Sequence, residues 1–149
     1  MTHAVIVDVD GTLAEFHPTK VHEWVLGPAK QWDPFFAYMA EAPVIEPVAR
    51  LVKLLKAQGQ QIIICSGRPD THRDHTHEWL TRNAIPFDAM YLRPDGHDHV
   101  DDEAVKEALL STMREDGFEP WLVLDDRDAV VAQWRALGLT CLQCAPGDF

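Results

Sequence analysis

The stretch that most limits how this chain can fold is Ala4-Val5-Ile6-Val7-Asp8-Val9-Asp10-Gly11-Thr12-Leu13. Val5, Ile6 and Val7 are consecutive β-branched residues, which suits a strand buried on both faces. Such strands belong to parallel sheets, where ligands bind beyond the carboxyl ends of the strands. Asp8 stands at that end. A carboxylate is too costly to bury without a partner, so it implies a metal, another cation or a solvated crevice. Asp10 lies two residues further on, and both carboxylates face one side if the chain stays extended. Gly11 lets the backbone turn sharply and come close to a bound group. Taken alone, the two aspartates fit a turn and helix cap equally well.

The remainder of the chain gives that stretch a setting. Pro47 to Gln58 carries Val48, Leu51, Val52, Leu54 and Leu55 at helical spacing, with Gly59 to end it. Gln61 to Cys65 repeats the buried-strand pattern with Ile62, Ile63 and Ile64. Thr71 to Asn83 reads as a helix capped by Asp70, Phe87 to Leu92 as a short strand, and Arg93 to His99 as a loop. Asp102 to Glu115 reads as a helix, Trp121 to Leu124 as a strand, Asp128 to Leu137 as a helix closed by Gly138, and Leu139 to Gln143 as a fifth strand. This alternation predicts an α/β fold: a mostly parallel sheet of about five strands with helices on both faces. Residues 1–149 are expected to form one domain. Between Ala14 and Ala42 the period is lost, and Pro18, Pro28 and Pro34 break the segment into short pieces. Its aromatics, Trp24, Trp32, Phe35, Phe36 and Tyr38, argue for order. They pack over the core or form a flap beside the crevice, and the sequence leaves both readings open.

Charge narrows the range of functions. The chain has 13 Lys and Arg against 24 Asp and Glu, a formal net charge of −11. A broad basic surface for coating duplex DNA is therefore not expected, whereas a small basic pocket around one phosphate is compatible. Cys65, Cys141 and Cys144 are too few and too odd in number for a disulfide framework. Cys141 and Cys144 form a C-x-x-C at the end of an apolar run rather than at a helix start, so buried structural cysteine is the expectation. His72, His75 and His77 do not supply a tetrahedral metal set and are read as a solvated helix face. No secretory signal or membrane-length apolar run is present, so a cytoplasmic protein without membrane contact is expected.

Polar residues then collect at the ends of three apolar strands: Asp8 and Asp10, Ser66 and Arg68, Asp125 and Asp126. Lys106 adds one long-stemmed cation. Acids that bind a hard cation, together with a hydroxyl and cations that bind an anion, are what phosphoryl transfer requires. Mg²⁺ prefers oxygen ligands and few protein carboxylates, which matches this inventory.

Asp8-Val9-Asp10-Gly11-Thr12, followed in order by Ser66, Lys106 and Asp125-Asp126, resembles the haloacid dehalogenase superfamily of phosphohydrolases over nearly the whole chain. Ser66-Gly67-Arg68, Asp102 to Glu107, Asp125-Asp126-Arg127, Val131, Trp134-Arg135 and Gly147-Asp148-Phe149 further resemble the 3′-phosphatase domains of phage polynucleotide kinase-phosphatases. No G-x-x-x-x-G-K-[ST] kinase loop accompanies them. The family's arginine after the D-x-D-G-T stretch has Lys20 and His17 as its nearest basic counterparts. The basic residue expected shortly before Asp102 is replaced in the 97–100 region.

The resemblance implies a three-layer Rossmann-like fold with a minimal cap. It implies that Asp8 attacks phosphorus and that Asp10 serves as general acid and base, also lending its backbone carbonyl to Mg²⁺. Thr12, Ser66, Gly67, Arg68 and Lys106 are implied around the phosphate, and Asp8, Asp10, Asp125 and Asp126 around the metal. Arg68 and Arg93 are candidates for holding the substrate, with Asp102 orienting Lys106 or Arg68. Only residues 14–42 have room to form a lid, so a phosphorylated nucleotide or polynucleotide end is the expected partner. Homo-oligomerisation supplying a lid, and a separate kinase or ligase partner, are the further associations implied. Two other readings stand beside this one: a small-metabolite or mononucleotide phosphatase, and a non-enzymatic phosphate-accepting receiver module. The receiver's acceptor aspartate ends a third strand, whereas the acids here end the first and fourth.

Overall fold

The computed structural model describes all 149 residues. In chain order the elements are β1 (Thr2–Val7), α1 (Pro18–Val25), α2 (Trp32–Met39), α3 (Glu46–Ala57), β2 (Gln61–Pro69), a 3₁₀ turn (Asp70–His72), α4 (Arg73–Arg82), β3 (Ala89–Arg93), α5 (Asp102–Glu115), β4 (Phe118–Asp125), α6 (Asp128–Ala136) and β5 (Thr140–Gln143). The five strands form one sheet in the order β3-β2-β1-β4-β5. Every pairing is parallel, with Val5 opposite Ile62 on one side and Leu122 on the other. The order reverses direction at β1, so the crevice beyond β1 and β4 is the topological switch point where ligands of open α/β sheets bind.

Successive side chains of a strand point to opposite faces, and the core divides accordingly. Val5, Val7, Ile62, Ile64, Leu122 and Leu124 pack with Val21, Phe35, Phe36, Met39, Val52, Trp79 and Leu80. Ala4, Ile6, Ile63, Cys65 and Val123 pack on the other face with Val105, Leu109, Leu110, Met113, Val130, Val131 and Trp134 of α5 and α6. The three-layer arrangement thus follows from three apolar strands that alternate between two apolar helix sets.

The structure departs from the sequence-based expectations at several boundaries. β2 continues to Pro69, carrying Ser66 and Arg68 within the strand. The third strand runs Ala89–Arg93, so Arg93 ends a strand and does not open a loop. Asp70 does not cap α4; its carboxylate accepts from Arg73 Nε at 2.8 Å inside a short 3₁₀ turn. The segment 14–42 contains two eight-residue helices, α1 and α2. Its ends are joined by an antiparallel bridge between Ala14 and Val44. Ile45 N donates to Leu13 O at 2.7 Å and Glu15 N donates to Pro43 O at 2.9 Å. The insertion therefore leaves and rejoins the domain at one place.

Ile63 is fully buried on β2, between β1 and β3, whereas Leu54 is 59% exposed on α3. Ile63→Ala is expected to cost about 2–5 kcal/mol in urea denaturation, and Leu54→Ala less than about 0.5 kcal/mol.

Candidate active site

The strand ends bring the predicted acids to one place. Asp8 follows β1 and is held there by its own N–H, which donates to Leu124 O of β4 at 3.0 Å. Asp125 is the last residue of β4. Lys106 reaches in from the second turn of α5 and donates to Asp8 Oδ1 at 2.9 Å and to Asp125 Oδ2 at 2.8 Å. Val105, Leu109 and Met113 anchor that helix on the sheet and turn Lys106 inward, where only 4% of it is exposed. Asp125 Oδ2 also accepts from Trp134 Nε1 at 3.1 Å, and Asp125 Oδ1 accepts from Asp126 N at 2.8 Å.

Gly11 has φ +89°, and a Cβ there would stand 2.0 Å from Asp126 Oδ2. The missing side chain is what allows the Asp126 carboxylate to reach the others. Thr12 is fully buried; its hydroxyl lies 3.2 Å from Asp8 Oδ2 and 3.3 Å from Asp126 Oδ1, and its one hydrogen serves one of them at a time. It turns to the carboxylates and does not line the cleft.

Asp10 stands apart from this cluster. Arg68 holds its carboxylate bidentately, Nε to Oδ2 at 2.9 Å and Nη2 to Oδ1 at 2.6 Å. The same guanidinium donates to Thr76 Oγ1 at 3.1 Å and lies over the rings of Phe35 and Phe36, 5.5 and 5.1 Å from their centroids. Ser66 Oγ accepts from Arg68 N at 3.1 Å, which leaves the hydroxyl hydrogen free to donate into the cleft.

Asp102 does not orient Lys106 or Arg68. It accepts from Arg93 Nη2 and, at 2.6 Å, from Arg127 Nη1. Arg93 is buried, and it also donates to Gly67 O at 2.8 Å, to His97 O at 2.7 Å and to Val100 O. It ties the strand ends to the 94–101 loop rather than facing a substrate. A Cβ on Gly67 would lie 2.6 Å from Asp102 Oδ1, so Gly67 gives Asp102 its room.

A cleft open to solvent joins these groups. Asp8, Asp10, Ser66, Gly67, Arg68, Lys106, Asp125 and Asp126 line it together with Phe16, Lys30, Trp32, Phe35, Arg127 and Phe149. The insertion therefore fills both roles left open for it: Val21, Phe35, Phe36 and Met39 enter the core, while Phe16 and Trp32 wall the cleft. Trp32 Nε1 donates across the opening to Asp98 Oδ1 at 3.1 Å. Lys20 and His17 are exposed and away from the cleft; the basic residue that the insertion presents there is Lys30. Sequence reasoning missed Lys30, Trp32 and Phe16 because their segment has no period from which to read a face. It missed the Trp134–Asp125 bond because Trp134 reads as one more apolar residue of its helix.

The histidine expectation also needs correction. His75 and His77 are exposed, but His72 stacks on Phe36 at 4.7 Å with the rings 4° apart, and its Nε2 lies 2.9 Å from Asp33 Oδ1. It fastens α2 to the start of α4. The three cysteines are free thiols; Cys65 and Cys141 are buried, and burial pushes both thiols up to about 12.

Charge does not balance on the cleft floor. Ligand oxygens of Asp8, Asp125 and Asp126 lie within 4.8 Å of one another, all buried, with the single Lys106 ammonium among them. Burial, and then the charge of Asp125, push the Asp8 carboxyl well above the usual carboxylate range against the pull of Lys106. Burial pushes Asp126 up to about 6, with Asp125 adding to it and Lys106 opposing. Burial works against the Lys106 ammonium, but Asp125 and Asp8 outweigh it and hold its pKa well above the usual lysine range. Three carboxylates against one ammonium leave a deficit that a divalent ion would fill, and an all-oxygen set of this size suits a hard cation. Asp10, engaged by Arg68, adds no carboxylate to that set.

A carboxyl raised in the folded state holds its proton to higher pH than in the unfolded chain, so folding is weakened as pH rises through that window. Chelator-treated protein is expected to lose thermal stability between about pH 4 and pH 7. Asp126→Asn should reduce that slope, and added divalent ion should flatten it. Melting curves with and without chelator check both.

Comparison with known proteins agrees with this geometry. Residues 2–149 match the family described as the polynucleotide kinase PNKP phosphatase domain. Two solved structures, a Pnkp1/Rnl/Hen1 complex and a Pnkp1/Rnl/Hen1 RNA repair complex, each contain a chain that superposes with a TM-score of 0.81 at 31% identity, over 100% of this chain. This chain covers 48% and 44% of those two chains, about half their length. A class C acid phosphatase from Bacillus anthracis shares the fold, with a TM-score of 0.66 at 18% identity over 99% of this chain and 67% of that one. The chain belongs to the PNKP phosphatase-domain family of the haloacid dehalogenase phosphatases, and it is a phosphatase domain.

Proposed function

We propose that this domain is a Mg²⁺-dependent phosphomonoesterase that removes 3′-phosphates from polynucleotide or nucleotide ends by way of an aspartyl phosphate on Asp8. The observation that carries this reading is Asp8 itself. It lies at the switch-point crevice, in a cluster of buried carboxylates, with one oxygen on Lys106 and the other within reach of Thr12. A carboxylate approaches an anionic phosphate only where cations screen both partners. Asp8, Asp125, Asp126 and the main-chain carbonyl of Asp10 would hold Mg²⁺, which when bound supplies that screening.

An Asp8 oxygen attacks phosphorus, and the bond to the ribose 3′-oxygen breaks as Asp10, once protonated on an oxygen released by Arg68, delivers that proton to the departing oxygen. Asp10 then takes a proton from water, whose oxygen displaces Asp8 and releases inorganic phosphate. Arg68, clamped between Phe35, Phe36 and Thr76, sets where the Asp10 carboxylate lies. Ser66 and Lys106 donate to the phosphate oxygens as charge builds on them. Family membership favours turnover over the receiver reading. The domain is proposed to act in the cytosol beside a kinase or ligase activity, on its own chain or another. No helix is long and apolar enough to cross a membrane.

Phosphate release from a 3′-phosphorylated oligonucleotide should require divalent ion. Asp8→Asn should cut it by about 10³-fold or more, and Asp10→Asn by about 10²–10⁴-fold. Undiminished activity in Asp8→Asn would remove the assigned nucleophile. A strong preference for sugar phosphates over nucleic-acid ends would move the substrate to small metabolites.

A further inference from the structure

We propose that Lys30 forms a second anion subsite at the outer end of the cleft, binding the phosphate one nucleoside away from the one being removed. The inference rests on the phosphatase reading above and names what the enzyme requires of its substrate.

Lys30 is half-buried and lines the cleft, yet no carboxylate oxygen lies within 4.0 Å of its ammonium. Its one hydrogen bond goes to Val25 O at 2.9 Å. An ammonium carries three donors, so part of its capacity is free in a chain where acids outnumber bases 24 to 13. Of the neighbouring cations Arg93 is committed, whereas Arg127 keeps donors to spare and lines the cleft with Lys30. Arg93 is spent on backbone carbonyls and Asp102, and Arg127 donates to the same Asp102 and to Phe149 O at 2.9 Å. Both guanidinium groups still contribute their fields. Burial, then Arg93, with Arg127 acting the same way, hold the Lys30 pKa below the ordinary lysine range, although Asp102 and Asp98 act against them. A bound anion would relieve that strain.

This anion is not the phosphate under attack. Lys30 lines the cleft and also borders an outer groove with Asp98, Asp102 and Arg127. Asp8, Ser66, Lys106, Asp125 and Asp126 do not line that groove, although Asp8 and Lys30 line one cleft. Lys30 therefore serves a different part of the same molecule. The wall beside it is aromatic, with the Trp32 ring centroid 6.0 Å from the ammonium and Phe16 and Phe35 also lining the cleft. Cation and aromatic side by side suit a nucleoside followed by its next phosphate. A phosphodiester of a strand and the 5′-phosphate of a free nucleoside bisphosphate share this chemistry.

The test measures kcat/KM on a nucleoside 3′-monophosphate, a nucleoside 3′,5′-bisphosphate and a 3′-phosphorylated dinucleotide, for wild type, Lys30→Met and Lys30→Arg. The wild type should favour at least one of the two substrates with a second phosphate by about tenfold, the scale of one charge-assisted contact. Lys30→Met should shrink that preference at least about fivefold, mainly through KM, and lessen its salt dependence, whereas Lys30→Arg should keep it. A gain on the bisphosphate identifies the free nucleotide as sufficient, and a gain on the dinucleotide alone identifies the strand. Absence of any wild-type preference overturns the inference even if the methionine variant folds poorly. An equal loss on all three substrates in a folded Lys30→Met protein overturns it too. If the wild type releases phosphate from none of the three but does so from other phosphomonoesters, the nucleotide reading itself falls, and the subsite with it.

Discussion

The Lys106 ammonium, shared between Asp8 and Asp125, is the contact on which the site depends. Three elements meet there: β1 supplies one acid, β4 the other, and α5 the cation. A buried ion pair is a poor source of stability, because desolvating the charges costs nearly as much as their attraction returns. Its value here is placement. An ammonium that needs two carboxylates, and carboxylates that need a cation, settle the height of α5 against the sheet. Removing one member would leave a charge without a partner in a place water scarcely reaches.

Around that contact charge is unevenly distributed. The floor carries an excess of carboxylate, and toward the outer end Lys30 and Arg127 are interleaved with Asp98 and Asp102. The arrangement explains how a strongly acidic chain can still attract a phosphate. Negative charge on the floor is placed where a metal ion can neutralise it, and Lys30, Arg68 and Arg127 also line the cleft. It also explains why Arg93 and Arg127 are more than surface cations. Through Asp102 and backbone carbonyls they hold the 94–101 loop and the end of β4 in one position.

The insertion between β1 and α3 is the part that makes this domain specific. Phe35 and Phe36 lie beneath and beside the Arg68–Asp10 pair, and Trp32 closes one side of the opening through Asp98. A guanidinium flanked by aromatic rings loses water but keeps its favourable face contacts. The same helices that complete the core therefore shape the site. A change in the insertion will be felt in both stability and turnover.

The architecture was legible in the chain because it depends on local periods. The uninterrupted runs at Val5–Val7 and Ile62–Ile64, the helices between them, and acids placed just after strands all read directly as a parallel α/β sheet with its site at the strand ends, although Leu51 and Leu54, expected on the apolar face of α3, are exposed. Asp8, Lys106 and Asp125 were assigned to one locus from strand-end positions and from the family resemblance, and they stand within hydrogen-bonding distance. Partnership between distant side chains was not legible, since nothing in a linear pattern says which acid a given arginine meets. Asp102 was expected to serve Lys106 or Arg68 and serves Arg93 and Arg127. Thr12 was expected at the phosphate and lies beneath the carboxylates. Lys30 stood unnoticed in a segment without a period. Periodicity records which face of an element is buried. The competition among buried charges for partners is decided only when the whole fold brings them together.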